Sequence, residues 1–365
     1  MTPRQRMVNA LSFKPVDRIP LIEWGIRGST MKAWIEQGYP EGTNYQEYFN
    51  LDPWYTGIPI NMGMHPAFEP ETLEEDERYI IWRDELGAVR KDFKVTENVG
   101  FITRSWLSFA VSDKSTFEEM KARYNPTTPG RMPEDFDERA KTINTGTVAT
   151  HLSIPFLFWA VRDWVGFENL CMMFYDEPKL VHEMFDFVTD FAIETLKPVI
   201  HKLEIDMVEL KEDMAYKHAP MISPEMFREF MYPHYVKIIS FLKDNGAKFV
   251  YVDCDGFPGG LVPEWIEAGV DAMSPCEIAA GCDIAAFQKE YPTFALFGGV
   301  DKRELAKDKR AVYDEACKIP PLIEKGGYIP HVDHAIPHDI SLENYLYFRE
   351  LMLKIAMGKP MPGRP

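Results

Sequence analysis

The sequence predicts a (β/α)8 TIM barrel, an α/β fold of parallel strands joined by helices, and three observations support this prediction. In the second half of the chain, short apolar runs rich in β-branched and aromatic residues alternate with helical patterns, as is typical of parallel sheets. Polar residues gather at the carboxyl ends of nearly all these runs, as they do in barrel enzymes. No GxGxxG motif follows the first strand, which disfavours a doubly wound sheet.

Seven strands are predicted from this alternation. They are residues 18–25, 145–155, 205–213, 247–256, 270–278, 293–301 and 326–334. An eighth strand is expected within the less regular region 50–110. The helix after 205–213 shows its bounds in the sequence, because Ser223 suits an N-cap, Pro224 the first helical position and Gly246 the stop.

The 365 residues are expected to form a single domain, residues 1–365, with an N-terminal extension and helical insertions such as the polar stretch 115–145. The net charge of −17, without a Lys/Arg cluster, argues against a nucleic-acid partner. No signal-peptide core and no run of about 18 apolar residues is present, so a cytoplasmic protein that does not contact membranes is expected. Five cysteines without a CxxC pair predict reduced thiols. Monomer and homodimer both stay open.

Two acidic clusters stand at predicted strand ends. In VDCDG, Asp253 and Asp255 face one side of the strand and the intervening cysteine the other; the alternative is an Asp-Gly turn without chemistry. In KEDMAY, Glu212, Asp213 and Tyr216 are candidates for acid–base catalysis, and the alternative is a pair of carboxylates at a helix N-terminus.

The stretch GGYIPHVDHAIPHD ends the last predicted strand with three histidines. His331, Asp333 and His334 offer donors of the kind that zinc takes, but neighbouring residues of a strand face opposite sides and do not converge on one ion. One histidine of this stretch, combined with aspartates from another strand, is the more natural metal geometry. His338 and Asp339 are expected to open the next helix or to meet solvent.

These clusters resemble the uroporphyrinogen decarboxylase superfamily. The resemblance rests on TPRQRMVNALSFKPVDRIPL, EDMAYKHAPMISPEMFREFMYPHYVKII, VDCDG, PCEIAAGCDI, GGVDKREL and GGYIPHVDHAIPHDISLENY, and it is weakest over 50–145. It implies a (β/α)8 barrel with its site at the carboxyl ends of the strands. True uroporphyrinogen decarboxylases use an arginine-rich segment of the type RQAGRY, whereas this chain has WGIRGST with only Arg27. The resemblance is therefore closer to the corrinoid-dependent methyltransferase branch, which serves anaerobic one-carbon metabolism.

The resemblance also implies a metal site. Members of the methyltransferase branch hold zinc with a His-x-Cys pair and a later Cys; VDCDG falls where that pair lies, and His334 falls near the later cysteine. The implied ligands are therefore Asp253, Asp255 and His334, for zinc or another divalent ion. This harder ligand set suits an oxygen-bearing methyl donor.

The function implied is the methyltransferase component of a corrinoid-dependent, O-demethylating system, which moves a methyl group from a small aromatic substrate to a corrinoid protein. No Asp-x-His-x-x-Gly motif is present, so the corrinoid is expected on a separate protein. Glu212, Asp213 and Tyr216 would orient the substrate or supply a proton. Five residues are expected to contact the substrate: Arg27, His151, Glu277, His331 and Asp333. Two alternatives stay open, a cofactor-free decarboxylase of an aromatic or pyrrolic acid and a non-catalytic tetrapyrrole- or corrinoid-binding protein.

Overall fold

A computed structural model of the protein describes residues 1–94 and 104–365. Its strands are β1 (Thr56–Gly57), β2 (Glu71–Glu75), β3 (Tyr79–Arg83), β4 (Val89–Phe93), β5 (Arg104–Ser108), β6 (Thr150–Pro155), β7 (Met207–Lys211), β8 (Phe249–Asp253), β9 (Ala272–Cys276), β10 (Ala295–Val300) and β11 (Tyr328–Val332). Its helices are α1 (Pro3–Leu11), α2 (Gly28–Glu36), α3 (Tyr45–Tyr48), α4 (Lys114–Lys121), α5 (Phe136–Asn144), α6 (Leu157–Val165), α7 (Phe167–Asp176), α8 (Pro178–Leu196), α9 (Pro224–Met226), α10 (Tyr232–Asp244), α11 (Val262–Ala268), α12 (Ile284–Glu290), α13 (Lys302–Leu305), α14 (Lys309–Ala316), α15 (Pro320–Ile323) and α16 (Leu342–Ala356).

A parallel sheet of seven strands forms the centre of the fold. Its order is β1-β6-β7-β8-β9-β10-β11, and helices connect its successive strands from β6 onward. Every neighbouring pair is parallel, which requires such crossover connections. The six strands predicted in the second half of the chain are confirmed, and so is the α/β class.

The predicted strand 18–25 is wrong. Within the described residues this segment joins no ladder, and only a single bridge links Ile26 to Ile336. Pro20 lacks the N–H that a ladder needs, and the next N–H, that of Leu21, donates to the Asp52 carboxylate at 2.9 Å. The described strands therefore do not close an eight-stranded barrel.

The same segment still covers the gap between β11 and β1. The Val332 N–H of β11 donates to the Glu23 carboxylate at 3.0 Å, and the Ile336 N–H donates to the Gly25 carbonyl at 2.9 Å. On the other side, the Asp52 N–H donates to the Leu21 carbonyl at 2.7 Å. The sheet is thus curled, with an extended segment at its open edge.

The region 50–110 holds β1 and, in addition, a second sheet that the sequence did not predict. Strands β2, β3, β4 and β5 form an antiparallel sheet in that order. Arg90 lies over the Trp82 ring, 4.1 Å from its centroid, and Arg104 pairs with Asp92 at 2.8 Å. Cation–π and ion-pair contacts between long side chains therefore help to hold this small sheet together.

Alternate residues of the parallel strands separate an inner from an outer core. Met207, Tyr251 and Phe297 face inward and pack with Met7 and other residues of α1. Residues such as Val208 face outward into the larger core formed with the helices. Because α1 occupies the amino end of the inner core, polar side chains are left to the carboxyl ends of the strands.

The helical predictions hold with one local difference. The insertion 115–145 contains α4 and α5, as predicted, and the Ser223 hydroxyl caps α9 by accepting the Met226 N–H at 3.2 Å. A π-helical turn, Phe227–Met231, then precedes α10. Pro233 has no N–H for the carbonyl four residues earlier, which favours such a widened turn. Among the described helices, none is long and apolar enough to cross a membrane.

Candidate active site

Polar side chains converge at the carboxyl ends of β7 and β8. Residues paired directly across a parallel ladder face the same side, so Lys211 and Asp253 are neighbours, and Glu209 and Tyr251 form the layer beneath them. We call this end of the sheet, which continues into the loop at Asp255, the mouth.

Asp253 is a buried acid of the mouth. Its residue surface is only 8% exposed. Burial raises the pKa of this carboxyl well above its usual range, and the nearby carboxylates, Glu209 first, raise it further against the opposing charge of Lys211. Asp253 therefore keeps its proton to a higher pH than an ordinary aspartate, as a general acid must.

A hydrogen-bonded chain lies below Asp253. The Tyr251 hydroxyl donates to Glu209 Oε1 at 3.1 Å and lies 2.9 Å from His151 Nε2. Since the hydroxyl has one proton, His151 Nε2 is the donor in this arrangement. Burial lowers the pKa of His151 to about 4, and the ring, which stacks on Tyr55 at 4.1 Å, is therefore neutral.

Sequence reasoning chose His151 but missed its partners. Glu209 and Tyr251 lie within strands, whereas the sequence pattern indicated chemistry at strand ends. A signal was present, because in MVELK and FVYVD a polar side chain occupies a position between outward-facing apolar residues. Tyr55 carried no signal of this kind, since it precedes a strand of two residues.

A contact between a histidine and a carboxylate forms the upper rim of the mouth. His334 Nε2 lies 3.4 Å from Asp255 Oδ2, and the imidazole stacks on Trp24 with an interplanar angle of 7°. The hydrogen bond to Asp255 raises the pKa of His334, and burial opposes it. The Asp255 side chain is 45% exposed, so this pair of side chains is accessible to a ligand from solvent.

Asp213 connects this rim to β7. It has a left-handed backbone, with φ of 44°, which aspartate tolerates better than most residues. Its carboxylate accepts the Asp255 N–H at 2.9 Å and lies 3.9 Å from Arg162. Burial, followed by the Asp255 charge, raises the pKa of Asp213.

A second network joins the loops after β9, β10 and β11. Lys302 Nζ lies 2.9 Å from Glu277 and 3.4 Å from Asp333. Glu277 also accepts the Gly256 N–H, and Asp333 accepts the Ile278 N–H, each at 2.9 Å. Both predicted substrate contacts, Glu277 and Asp333, are thus occupied in fixing loop positions.

Glu212 points away from the mouth into the helix layer. It has no exposed surface; it accepts the Phe158 N–H at the start of α6 and the Tyr235 hydroxyl, each at 2.7 Å. Burial raises its pKa to about 8, although these hydrogen bonds oppose the rise. The structure gives Glu212 the position of a helix-capping carboxyl.

The remaining predicted residues are spread around the mouth. His331 is fully buried, and its Nδ1 donates to the Val332 carbonyl at 2.7 Å. Tyr216 is 70% exposed in the loop after β7. Arg27 is half-buried at the start of α2, where its N–H donates to the Ile336 carbonyl. His338 and Asp339 are exposed, as expected.

The implied metal ligands do not form a metal site. Among residues 1–94 and 104–365, no three His, Cys, Asp or Glu side chains have a suitable arrangement. His334 and Asp255 meet, but His334 Nδ1 accepts the Ala335 N–H at 2.7 Å, so a neutral ring has its proton on Nε2, toward Asp255. Asp253 instead faces inward, toward Glu209. The residues therefore do not fit a zinc ion as arranged, and no step below depends on one.

A curled parallel sheet with a buried acid at its carboxyl end defines an enzyme-type site of the barrel class. The sequence profile of the family described as uroporphyrinogen decarboxylase (URO-D) matches residues 161–354. The match covers more than half of the chain, and the chain belongs to the uroporphyrinogen decarboxylase family.

A solved structure shares this fold. A methyltransferase from Methanosarcina mazei superposes with a TM-score of 0.61 at 15% identity, covering 97% of this chain and 99% of that chain. A B12-independent methionine synthase from a Shewanella species, in complex with selenomethionine, gives a TM-score of 0.39 at 13% identity, covering 62% of this chain and 67% of that chain. No curated protein sequence matches the chain.

Proposed function

We propose that this protein is a methyltransferase that takes a methyl group from the oxygen of a small, uncharged aromatic ether, or from the nitrogen of a small quaternary ammonium compound, and passes it to a corrinoid on a separate protein. The observation that carries the proposal is the position of the Asp253 carboxyl, which is buried near Glu209 in an acidic mouth that raises its pKa. The shared fold of the Methanosarcina methyltransferase is consistent with it.

The substrate's leaving atom needs a proton when its bond to methyl breaks. Asp253 would donate this proton to the oxygen of a methyl ether, which leaves as a neutral hydroxyl compound rather than as an unstable anion. A corrinoid held by the partner protein would supply the reduced acceptor for the methyl group, while Asp253 would supply the proton to the leaving oxygen. Below Asp253, Tyr251 and His151 hold Glu209 in place, so the charge that raises the Asp253 pKa stays fixed.

The charge of the mouth favours methyl transfer over decarboxylation. Carboxyl groups outnumber cations there, and two of the cations, Arg162 and Lys302, already face carboxylates of this chain. The carboxyl groups that contribute to this charge are Glu209, Asp213, Asp255, Glu277 and Asp333, whereas Asp253 keeps its proton in the proposed mechanism. An aromatic acid would enter against this negative potential, whereas an ether or amine would not.

The proposal also includes the barrel architecture, the location and the docking partner that the family resemblance implies. We infer a (β/α)8-type barrel in which the extended segment 18–27 takes the place of the eighth strand, within one cytoplasmic domain. The corrinoid partner would dock on the mouth, because the acceptor must reach the methyl carbon in line. The half-exposed Asp255 and the exposed Tyr216 lie on that approach.

The test is methyl transfer to chemically reduced cobalamin, followed by its visible spectrum, with anisole, tetramethylammonium and 4-methoxybenzoate as donors. Anisole and tetramethylammonium should react and 4-methoxybenzoate should not. Asp253→Asn should slow transfer from anisole by about 100-fold or more, the usual range for losing a general acid. Asp339→Asn, in an exposed loop, is the matched control and should react as the unmodified protein does.

Two results would redirect the proposal. Absence of transfer from every donor, also in the presence of a corrinoid protein, would remove it. Release of carbon dioxide from an aromatic or pyrrolic acid without corrinoid would establish decarboxylation, the second candidate, instead.

A further inference from the structure

Three aromatic rings with unpaired nitrogen atoms meet beside β11. The Trp54 ring centroid lies 6.1 Å from that of Trp24 and 5.8 Å from that of His331. Both indole Nε1 atoms and the His331 Nε2 atom are buried and have no hydrogen-bond partner among the described residues. Because buried polar atoms in folded proteins are nearly always paired, three such atoms in one contact cluster indicate a missing polar group.

The hydrogen-bonding character of each atom is determined. An indole N–H only donates, so Trp24 and Trp54 offer two donors. His331 donates its Nδ1 proton to the Val332 carbonyl at 2.7 Å, which leaves Nε2 as a pure acceptor in the neutral ring. The cluster therefore matches a ligand group that both accepts from an indole and donates to an imidazole.

The surroundings of the cluster narrow the ligand further. Phe297 lies 6.3 Å from Trp54, and Trp24 is stacked on His334, so the walls are flat and mostly aromatic. Tyr55, 43% exposed, contacts Trp54 at 5.4 Å between centroids and marks the side that solvent reaches. Flat aromatic walls suit an aromatic ring, and the acidic mouth above them disfavours an anion.

We propose that Trp24, Trp54 and His331 form a pocket that selects a phenolic hydroxyl on the ligand. The hydroxyl donates to His331 Nε2 and accepts from the Trp54 indole N–H, whose ring is the one in contact with His331. An ether in the same place accepts only and leaves Nε2 unpaired, and a carboxylate has no proton to give. The inference rests on the proposed function, since it names the class of aromatic compound that the site takes, but it concerns binding alone.

The test uses three probes with one ring: phenol, anisole and benzoate. Their affinities are measured by calorimetry, with tryptophan fluorescence as a second readout, without corrinoid. Phenol should bind about tenfold more tightly than anisole, the effect of one well-made hydrogen bond to a buried acceptor, and benzoate should bind weakest. His331→Phe removes the acceptor and keeps an aromatic ring, so phenol and anisole should then bind equally.

Two further variants complete the design. His338→Phe makes the same change at an exposed position and should keep the preference for phenol. Trp54→Phe removes a donor that both phenol and anisole use, so both should bind several-fold more weakly. Should His331→Phe fail to fold, an unchanged affinity of Trp54→Phe for phenol would by itself overturn the pocket.

The results separate this inference from the proposed function. Equal binding of phenol and anisole by the unmodified protein, or a preference that survives in His331→Phe, overturns the pocket even if methyl transfer is observed. A preference that depends on His331, in a protein that transfers no methyl group, supports the pocket and removes the proposed function.

Discussion

Replacing Glu212 by glutamine should change how the stability of the protein depends on pH. The buried carboxyl accepts hydrogen bonds from the Phe158 N–H and the Tyr235 hydroxyl. Glutamine cannot ionise; its oxygen can still accept from Phe158, and its NH2 group can donate to the Tyr235 oxygen. Burial raises the pKa of Glu212 from the ordinary 4.5 to about 8. The folded protein therefore holds a proton that the unfolded chain releases between these two values.

The direction and the magnitude of the pH effect on stability follow from the difference between the folded and unfolded pKa values of Glu212. Where the folded state binds more protons, stability falls as pH rises, so the contribution of Glu212 is fully present below pH 4.5 and is lost by about pH 8. Each factor of ten in proton affinity is about 1.4 kcal/mol, which gives roughly 5 kcal/mol across the window. The Glu212→Gln variant should not lose this contribution to the free energy of unfolding, so at high pH it should be more stable than the unmodified protein.

Urea unfolding at pH 5, 7 and 9 measures the effect. The free energy of unfolding of Glu212→Gln minus that of the unmodified protein should rise with pH by several kcal/mol, because all other titrating groups are shared. Glu225→Gln changes an exposed glutamate in the same way and should show no such rise. A difference for Glu212→Gln that stays constant within about 1 kcal/mol would refute the reasoning.

Three other outcomes are expected. Tyr251→Phe removes the hydroxyl between His151 and Glu209, so it should lower the free energy of unfolding, measured with urea, by about 1–3 kcal/mol. Tyr216→Phe, in an exposed loop, is the control and should leave this free energy unchanged. Equal effects of the two substitutions would contradict the hydrogen-bonded chain. Asp255→Asn should lower the pKa of His334, followed by the NMR shifts of its ring protons, and an unchanged pKa would show that the hydrogen bond between Asp255 and His334 is not formed. Elemental analysis of protein purified from zinc-supplemented cells should give less than one zinc per chain, and a stoichiometric content would contradict the arrangement of Asp255 and His334.

The polar residues at the ends of apolar runs predicted most of the strands that position the candidate active site. Six parallel strands and the inward direction of Asp253 followed from alternation and from the polar residues after each apolar run. These features depend on neighbours in sequence, which a single chain displays. The family resemblance implied that Asp253, Asp255 and His334 share one site, and the structure places Asp255 and His334 3.4 Å apart.

The errors share a physical origin in contacts that are distant along the chain. The segment 18–25 has the composition of a strand, but the Asp52 side chain takes the N–H of Leu21. Strand β2 is exposed along its whole length, so its sequence lacks the apolar alternation that would have predicted a strand of the second sheet. Glu212 looked like an active-site acid because it ends a strand, and only the position of α6 shows that it caps a helix.

The most direct test of the account compares leaving groups in the Asp253→Asn variant. When a methyl ether loses its methyl group, the rest of the molecule departs as an oxygen anion unless its oxygen is protonated. When tetramethylammonium loses a methyl group, neutral trimethylamine departs and no proton is needed. At saturating donor, Asp253→Asn should reduce the rate of methyl transfer from anisole by about 100-fold or more and leave the rate from tetramethylammonium nearly unchanged. Equal reductions with both donors would show that Asp253 does not supply the proton, and would contradict the central claim.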